Sequence, residues 1–240
     1  MLWGGLLSIV MTLATTGLLI ADLDRPERFL FILMRPQWRS WLTRGAFLLI
    51  GFATVSGGWW LSEQLFELPA ISRAAMGWLT LPLAIGAAVY TAFLFGQAEG
   101  RDLWQSPLLP VHLLIQSTMM GSAAMLAIGG PLGLSSALVE VARITFAIAL
   151  ALDAFVVLFG ELGIPHASEV AAKAARELRS GRHAKRFWWG SIVLGHAIPL
   201  ALLLIPGAAL LGPLAALLAA IGLYAYEYAF VMAPQEIPNS

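Results

Sequence analysis

The chain has 240 residues, of which 59% are hydrophobic and only 12% are charged, and its formal net charge is zero. Because soluble domains carry about 25% charged residues, this composition excludes an ordinary soluble domain and favours an integral membrane protein. The sequence contains no cysteine, which excludes disulfides, cysteine-ligated iron–sulfur clusters and covalently attached c-type haem within this chain.

Long apolar runs predict an all-α membrane protein with a bundle of seven transmembrane helices, because each run is about long enough to cross a hydrocarbon core of ~30 Å. A single polytopic membrane domain over residues 1–240 is therefore expected. Residues 206–213 are predicted to form the turn before the last span. In chain order, the predicted spans are residues 2–21, 45–61, 72–95, 107–128, 135–160, 187–205 and 214–232.

The basic residues predict the orientation of the chain. If the seven spans alternate in direction, twelve of the fourteen Lys and Arg residues fall on one side of the membrane, in or beside the loops 22–44, 96–106 and 161–186. Arg and Lys are retained preferentially in cytoplasmic loops. We therefore expect these three loops and the C-terminus to be cytoplasmic and the N-terminus to be outside.

The loop 161–186 is long enough to hold structure of its own. Ser168 followed by Glu169 is typical of a helix start and Gly181 of a helix end. Val170, Ala174 and Leu178 would give this helix a thin apolar stripe, so a short helix lying on the cytoplasmic membrane face is one interpretation. A solvated charged loop is the alternative.

Three stretches of the sequence resemble the NrfD-like family, the membrane subunits of polysulfide-reductase-type (PsrC-like) complexes. Members of this family usually have eight helices. Here the first helix would be absent, and in the family that helix supplies part of the quinone pocket. The similar stretches are DLDRPERF at 22–29 with RSWLTRG at 39–45, YTAFLFG at 90–96 with GRDLWQSPLLP at 100–110, and His166 onward with FWWG at 187–190.

The resemblance implies a function. It implies a membrane anchor and quinone-reactive subunit that exchanges electrons between menaquinone or ubiquinone and a ferredoxin-like iron–sulfur subunit. That subunit would pass the electrons to or from a molybdopterin catalytic subunit. The resemblance leaves open whether the complex also translocates protons. The same resemblance implies a multi-pass protein of a bacterial or archaeal cytoplasmic membrane, surrounded by lipid. The iron–sulfur partner would dock at the outer face, no metal or haem would be bound by this chain, and no nucleic acid is expected.

Several polar residues are candidates for quinone binding. An ionisable side chain at mid-membrane costs about 2.5–3.5 kcal/mol on insertion scales, so each one needs a reason. Glu140 and Arg143 lie three residues apart on one helical face and are expected to pair, either as structural glue or beside a quinone headgroup. The Tyr90 phenol could donate to a quinone carbonyl or to a backbone carbonyl. Trp59 is typical of an interfacial aromatic belt, and bordering the quinone entrance is its alternative role.

A second set of polar residues is a candidate proton pathway toward the cytoplasm. Asp153 lies ten residues beyond Arg143 and is the strongest single candidate for proton handling. Carboxylates and imidazoles suit proton transfer because their pKa values can be brought near ambient pH. Interhelical hydrogen bonding or snorkelling is the alternative for each residue. The predicted members are Asp22, His112, Asp153, His196 and Glu227.

The first loop contains a run of alternating charges around a proline. We interpret it as a structural loop motif, in which ion pairs hold the turn, rather than as a catalytic site. Its members are Asp24, Arg25, Pro26, Glu27 and Arg28.

Two other classes of protein are compatible with the composition. A secondary transporter would use Glu140, Arg143 and Asp153 as its substrate site, although no clear inverted repeat is present. A haem-b anchor would use His112 and His196 as axial ligands. The sequence places His112 near the inner surface and His196 at mid-span, and these depths fit one haem poorly.

Overall fold

The fold is that of a computed structural model, which describes residues 2–205 and 211–238. All the regular structure in those ranges is helical. Two π-helical segments, Val156–Glu161 and Arg186–Ala197, continue the sixth helix and lead into the eighth without a break. The α-helices are α1 (Leu2–Ala21), α2 (Phe29–Met34), α3 (Trp41–Leu65), α4 (Ala70–Phe95), α5 (Leu109–Gly129), α6 (Ser136–Phe155), α7 (Glu169–Arg179), α8 (Ile198–Leu203) and α9 (Leu211–Gln235).

Seven helical spans in the described ranges are long and apolar enough to cross a membrane. This confirms the predicted all-helical multi-pass membrane fold. Three of the predicted spans are too short, most clearly the one that becomes α3, where the helix already begins at Trp41 and continues to Leu65. In α3 the predicted limits stop near the charged residues Arg44 and Glu63, whereas helical hydrogen bonding continues through both.

The predicted turn at 206–213 is described only in part. Residues 206–210 lie outside the described ranges. The prediction is wrong at Pro213, which belongs to the first helical turn of α9 and not to the connecting segment before it. A proline is tolerated there because the first amides of a helix have no intrahelical acceptor.

The chain divides into two compact units, residues 1–94 and 95–240. In the first unit α1 packs along α3. The ring of Trp41 on α3 stacks on Phe93 of α4, with 4.2 Å between ring centroids. Two helices of this unit approach closely at Gly45, where a Cβ atom would come within 2.2 Å of the Tyr90 ring.

In the second unit α9 packs against α5 and against the π-helical segment 186–197, and α5 packs against α6. Small residues on α9 let the neighbouring backbones approach closely, as is usual where membrane helices meet. A Cβ atom on Gly222 would lie only 2.1 Å from the Cα of Gly195. The buried core of this unit includes Met119, Ala123, Phe146, Leu150, Ala215 and Ala219.

The short helix expected in the loop 161–186 is present as α7. The Ser168 side chain accepts a hydrogen bond from the amide of Ala171 and caps the helix start. Four residues of α7 are buried and only Val170 of the predicted stripe is not, so the apolar face is wider than predicted. The alternative of a solvated loop is therefore wrong. The buried residues are Ala171, Ala174, Ala175 and Leu178.

Candidate functional site

Three of the predicted proton-pathway residues meet inside the second unit. Asp153 on α6 is buried, with 1% of its surface exposed. Its Oδ2 lies 2.8 Å from Nε2 of His196, in a hydrogen bond, and its Oδ1 lies 3.0 Å from Nε2 of His112. The second contact is at ion-pair distance but is not aligned as a hydrogen bond. We call these three residues the His–Asp–His cluster.

The backbone around His196 explains how its imidazole reaches Asp153. Nδ1 of His196 lies 2.9 Å from the carbonyl oxygen of Ser191, five residues earlier, within the π-helical segment. The neighbouring Gly195 packs directly on Gly222 of α9. The absence of a side chain at both positions lets the two helices approach and sets the depth at which His196 lies.

The contacts of His196 fix the number of protons that the pair His196–Asp153 holds. A carbonyl oxygen can only accept, so Nδ1 of His196 must carry a hydrogen and donate it to Ser191. The other ring nitrogen faces a carboxylate oxygen at 2.8 Å, where two lone pairs would repel. One further proton must therefore lie between His196 and Asp153, on one atom or the other.

His112 has a different environment. Its Nε2 lies 3.0 Å from Asp153 Oδ1 and 3.1 Å from the side-chain nitrogen of Gln116. One ring nitrogen cannot donate to a carboxylate and accept from an amide at the same time, so these contacts belong to two tautomers. Its Nδ1 is buried and has no hydrogen-bond partner among the described residues. The edge of the ring packs on Tyr226, with 5.3 Å between centroids.

The other two predicted pathway residues lie apart from this contact. Glu227 on α9 is half-buried and lies against Gln116, so it borders the cluster through the amide that contacts His112. Asp22 belongs to the first unit, at the exposed end of α1, and its role stays a prediction.

The predicted pairing of Glu140 with Arg143 is confirmed. Two hydrogen bonds join the side chains, at 2.6 and 2.8 Å. Arg143 also donates through Nη1 to the carbonyl oxygen of Leu203, at 2.8 Å, and so satisfies an end carbonyl of α8. These contacts favour a structural role for Arg143, and its role at a quinone stays a prediction.

The geometry of α6 bears on the transporter alternative. Arg143 and Asp153 are ten residues apart, which is about 15 Å along a helix. Asp153 contacts two histidines, whereas Arg143 contacts Glu140 and Leu203. The three residues proposed as one substrate site therefore do not form one site.

The remaining quinone candidates belong to the first unit. Tyr90 is buried, with 4% of its surface exposed, and its ring lies against Gly45. Trp59 is half-buried, and its Nε1 lies 3.4 Å from Oε1 of Glu63. Glu63 in turn pairs with Arg73 at 2.9 Å. Trp59 is thus held at an ion-paired end of α3.

The charged loop motif is exposed in the same unit. Pro26–Arg28 forms a 3₁₀ turn, and the residues on either side of Pro26 are exposed. This agrees with a turn at this position. Whether ion pairs hold the turn stays a prediction.

His112 and His196 contact the same carboxylate, so their rings lie next to each other. Both ring nitrogens of His196 are in contact with oxygen atoms. These contacts disfavour the haem-b alternative, and the depths of the two histidines in the membrane stay a prediction.

Residues 2–239 match the family described as polysulphide reductase, NrfD. The chain belongs to the polysulphide reductase NrfD family. The match covers nearly the whole chain and confirms the resemblance seen in the loops. No curated protein matches the chain.

Sequence reasoning missed one buried acid of this NrfD-family chain. Glu161 ends the π-helical segment 156–161, has 4% of its surface exposed and accepts a hydrogen bond from Ser106 at 3.2 Å. Its position at the polar end of a span suggested an ordinary helix terminus. The available signal was its spacing, since a residue eight positions after Asp153 lies about two helical turns along a similar face.

Proposed function

We propose that this chain is the membrane anchor and quinone-reactive subunit of an oxidoreductase complex, in which the His–Asp–His cluster moves protons. Family membership supports the oxidoreductase setting. The observation that carries the proton role is the pair formed by Asp153 and His196, which must share one proton inside an apolar bundle. By resemblance to the family, electrons would pass to or from an iron–sulfur subunit and a molybdopterin subunit.

A bound quinone would supply chemistry that takes up two electrons and two protons on reduction to the quinol. The chain has no cysteine, so thiolate ligands for an iron–sulfur cluster must come from a partner. Tyr90 fits a quinone carbonyl best among the candidates, because a phenol can donate to it and Gly45 leaves room for the ring. Arg143 fits less well, because its donors already contact Glu140 and Leu203.

The chain's own residues then hold and transfer the protons. Asp153 shares a proton with His196 on one side and faces His112 on the other. The charge-separated form of the Asp153–His196 pair has no net charge, which limits the cost of placing ions in an apolar bundle. A proton that reaches Asp153 through His112 would add one positive charge to the pair, and that charge would be removed when the reduction of a quinone takes up a proton.

The test is Asp153→Asn in the assembled complex, reconstituted in liposomes. Asparagine keeps the shape but cannot exchange a proton with either histidine. General acid–base groups contribute about 10²-fold or more to a rate, so we expect proton-coupled quinone turnover to fall by about that factor.

The control is Glu99→Gln, which removes an exposed acid from the loop 96–106. We expect it to retain normal turnover. If Asp153→Asn left both the rate and its pH dependence unaltered, Asp153 would have a structural role only.

A further inference from the structure

A cavity of about 470 Å³ opens outside the membrane spans of the second unit. It begins at Leu162, the residue directly after the buried Glu161. Its polar lining includes His166, Ser168, Glu169 and Arg179. Water can therefore approach the end of the α6 span from this side.

His166 gives this cavity a group that can exchange protons. Its Nε2 is buried and has no hydrogen-bond partner among the described residues. Burial lowers the pKa of His166, and the guanidinium groups of Arg179 and Arg176 lower it further. The imidazole is therefore neutral near neutral pH, so its ring nitrogens can both take up and release a proton.

Polar contacts lead from the cavity toward Glu161. Ser168, on the cavity wall, forms a short hydrogen bond with the carboxylate of Asp102. Asp102 begins a 3₁₀ turn that ends just before Ser106. Ser106 donates through its hydroxyl to Oε1 of Glu161, at 3.2 Å. The same short turn thus contacts both the cavity wall and the buried acid.

Glu161 lies within electrostatic range of the His–Asp–His cluster. Its carboxylate accepts a hydrogen bond from Ser106 and interacts electrostatically with His112 of α5 and with Tyr226 of α9, whose rings pack on each other. Nδ1 of His112 is buried without a partner in the described part of the chain. Buried polar atoms are nearly always hydrogen-bonded, so an exception needs an explanation. Use as a proton acceptor would provide one.

We propose that Glu161 is the uptake carboxylate that receives protons from water in this cavity and delivers them to His112. This inference rests on the proposed function. The Glu161 carboxylate takes a proton from hydronium and releases water. The neutral carboxyl then gives that proton, through water, to Nδ1 of His112, while the Nε2 proton of His112 passes to Asp153. Glu161 returns to the carboxylate, and the Asp153–His196 pair holds one extra proton until the reduction of a quinone takes up a proton.

The decisive variant is Glu161→Gln in the assembled complex, reconstituted in liposomes with a pH-sensitive dye outside. Glutamine keeps the oxygen that accepts from Ser106 but cannot carry a proton. We expect proton-coupled turnover to fall at least tenfold at neutral pH. Because protons would then have to reach His112 directly from water, the remaining rate should become proportional to the hydronium concentration.

The control is Glu99→Gln, which removes an exposed acid from the loop 96–106 and should leave the rate and the pH profile unchanged. Glu161→Asp retains an ionisable group and should recover most of the activity, which a damaged fold would not.

The outcomes separate the uptake role from the proposed function. If Asp153→Asn is slow and Glu161→Gln has a normal rate and pH profile, the uptake role is overturned while the proton role of the cluster stands. If both variants behave like the parent protein, the proposed function itself fails. A Glu161→Asp variant as slow as Glu161→Gln, with a parental pH profile in both, would also overturn the uptake role.

Discussion

Gly222→Ala tests whether the backbone crossing in the second unit sets the site. The new Cβ would lie 2.1 Å from the Cα of Gly195, whereas ordinary contacts begin near 3.4 Å, so the helices must separate by about 1.3 Å. Both neighbours are backbone and cannot rotate away. Overpacking of this kind costs about 1–3 kcal/mol, which lowers the unfolding midpoint by about 2–12 °C for a chain of this size.

The same displacement should reach the His–Asp–His cluster. His196 follows Gly195 directly, and its hydrogen bond to Asp153 is 2.8 Å long, so an added ångström would lengthen it to about 3.8 Å and break it. Thermal unfolding of the purified protein, followed by tryptophan fluorescence, measures the stability effect.

The matched control for that experiment is Gly121→Ala on α5. A Cβ atom there meets nothing within 4 Å, and alanine is the better helix former by about 1 kcal/mol, so its midpoint should be unchanged or higher. Equal midpoints for Gly222→Ala and the parent protein would refute the reasoning, because they would show that the crossing can open without cost.

Three further predictions follow from single residues. Ser168→Ala removes the N-terminal cap of α7, which contributes about 1 kcal/mol, so the amides of the first turn should exchange with deuterium about fivefold faster. Ser180→Ala is the control. Equal exchange rates in Ser168→Ala and the parent protein would contradict the capping role. Because folding lowers the pKa of His166, the unfolded loop binds more protons than the folded loop below about pH 6.5. The folded loop should therefore lose stability as the pH falls. Proteolysis within 161–186 should then speed up at pH 5.5, and His166→Phe should remove that change; a persistent change would assign it to another group. Tyr90→Phe should lower quinone turnover about three- to tenfold, which corresponds to the loss of one hydrogen bond, while the abundance of the subunit stays normal. Unchanged kinetics would show that Tyr90 does not belong to the quinone site.

The sequence predicts the spans well because membrane insertion depends on long apolar runs that can be read one helix at a time. It also predicts local features such as the pairing of Glu140 with Arg143 and the start of α7, which depend on residues three or four positions apart. In these cases the interacting groups are neighbours in the chain.

The cluster itself was predictable only as a set of candidates. His112 and His196 lie 84 positions apart in the chain, and their meeting at Asp153 depends on how three helices cross. The π-helical segment also changes the register of His196 in a way that an ordinary helical spacing does not show. Glu161 was missed because a buried acid and an exposed helix end look alike in a sequence.

The composition of α6 bears on how such a site enters a membrane. The span 136–161 carries Asp153, yet its most apolar 18-residue window has a mean hydropathy of 2.2, the highest among the seven described spans. An aspartate at a helix centre disfavours insertion by about 2.5–3.5 kcal/mol, and several Leu, Ile, Val and Phe residues at about −0.3 to −0.6 kcal/mol each offset it. The helix can therefore be inserted during synthesis before His196, which lies 43 positions later in the chain, has arrived. The carboxyl would enter lipid in its neutral form, and ionisation would be postponed until the bundle assembles.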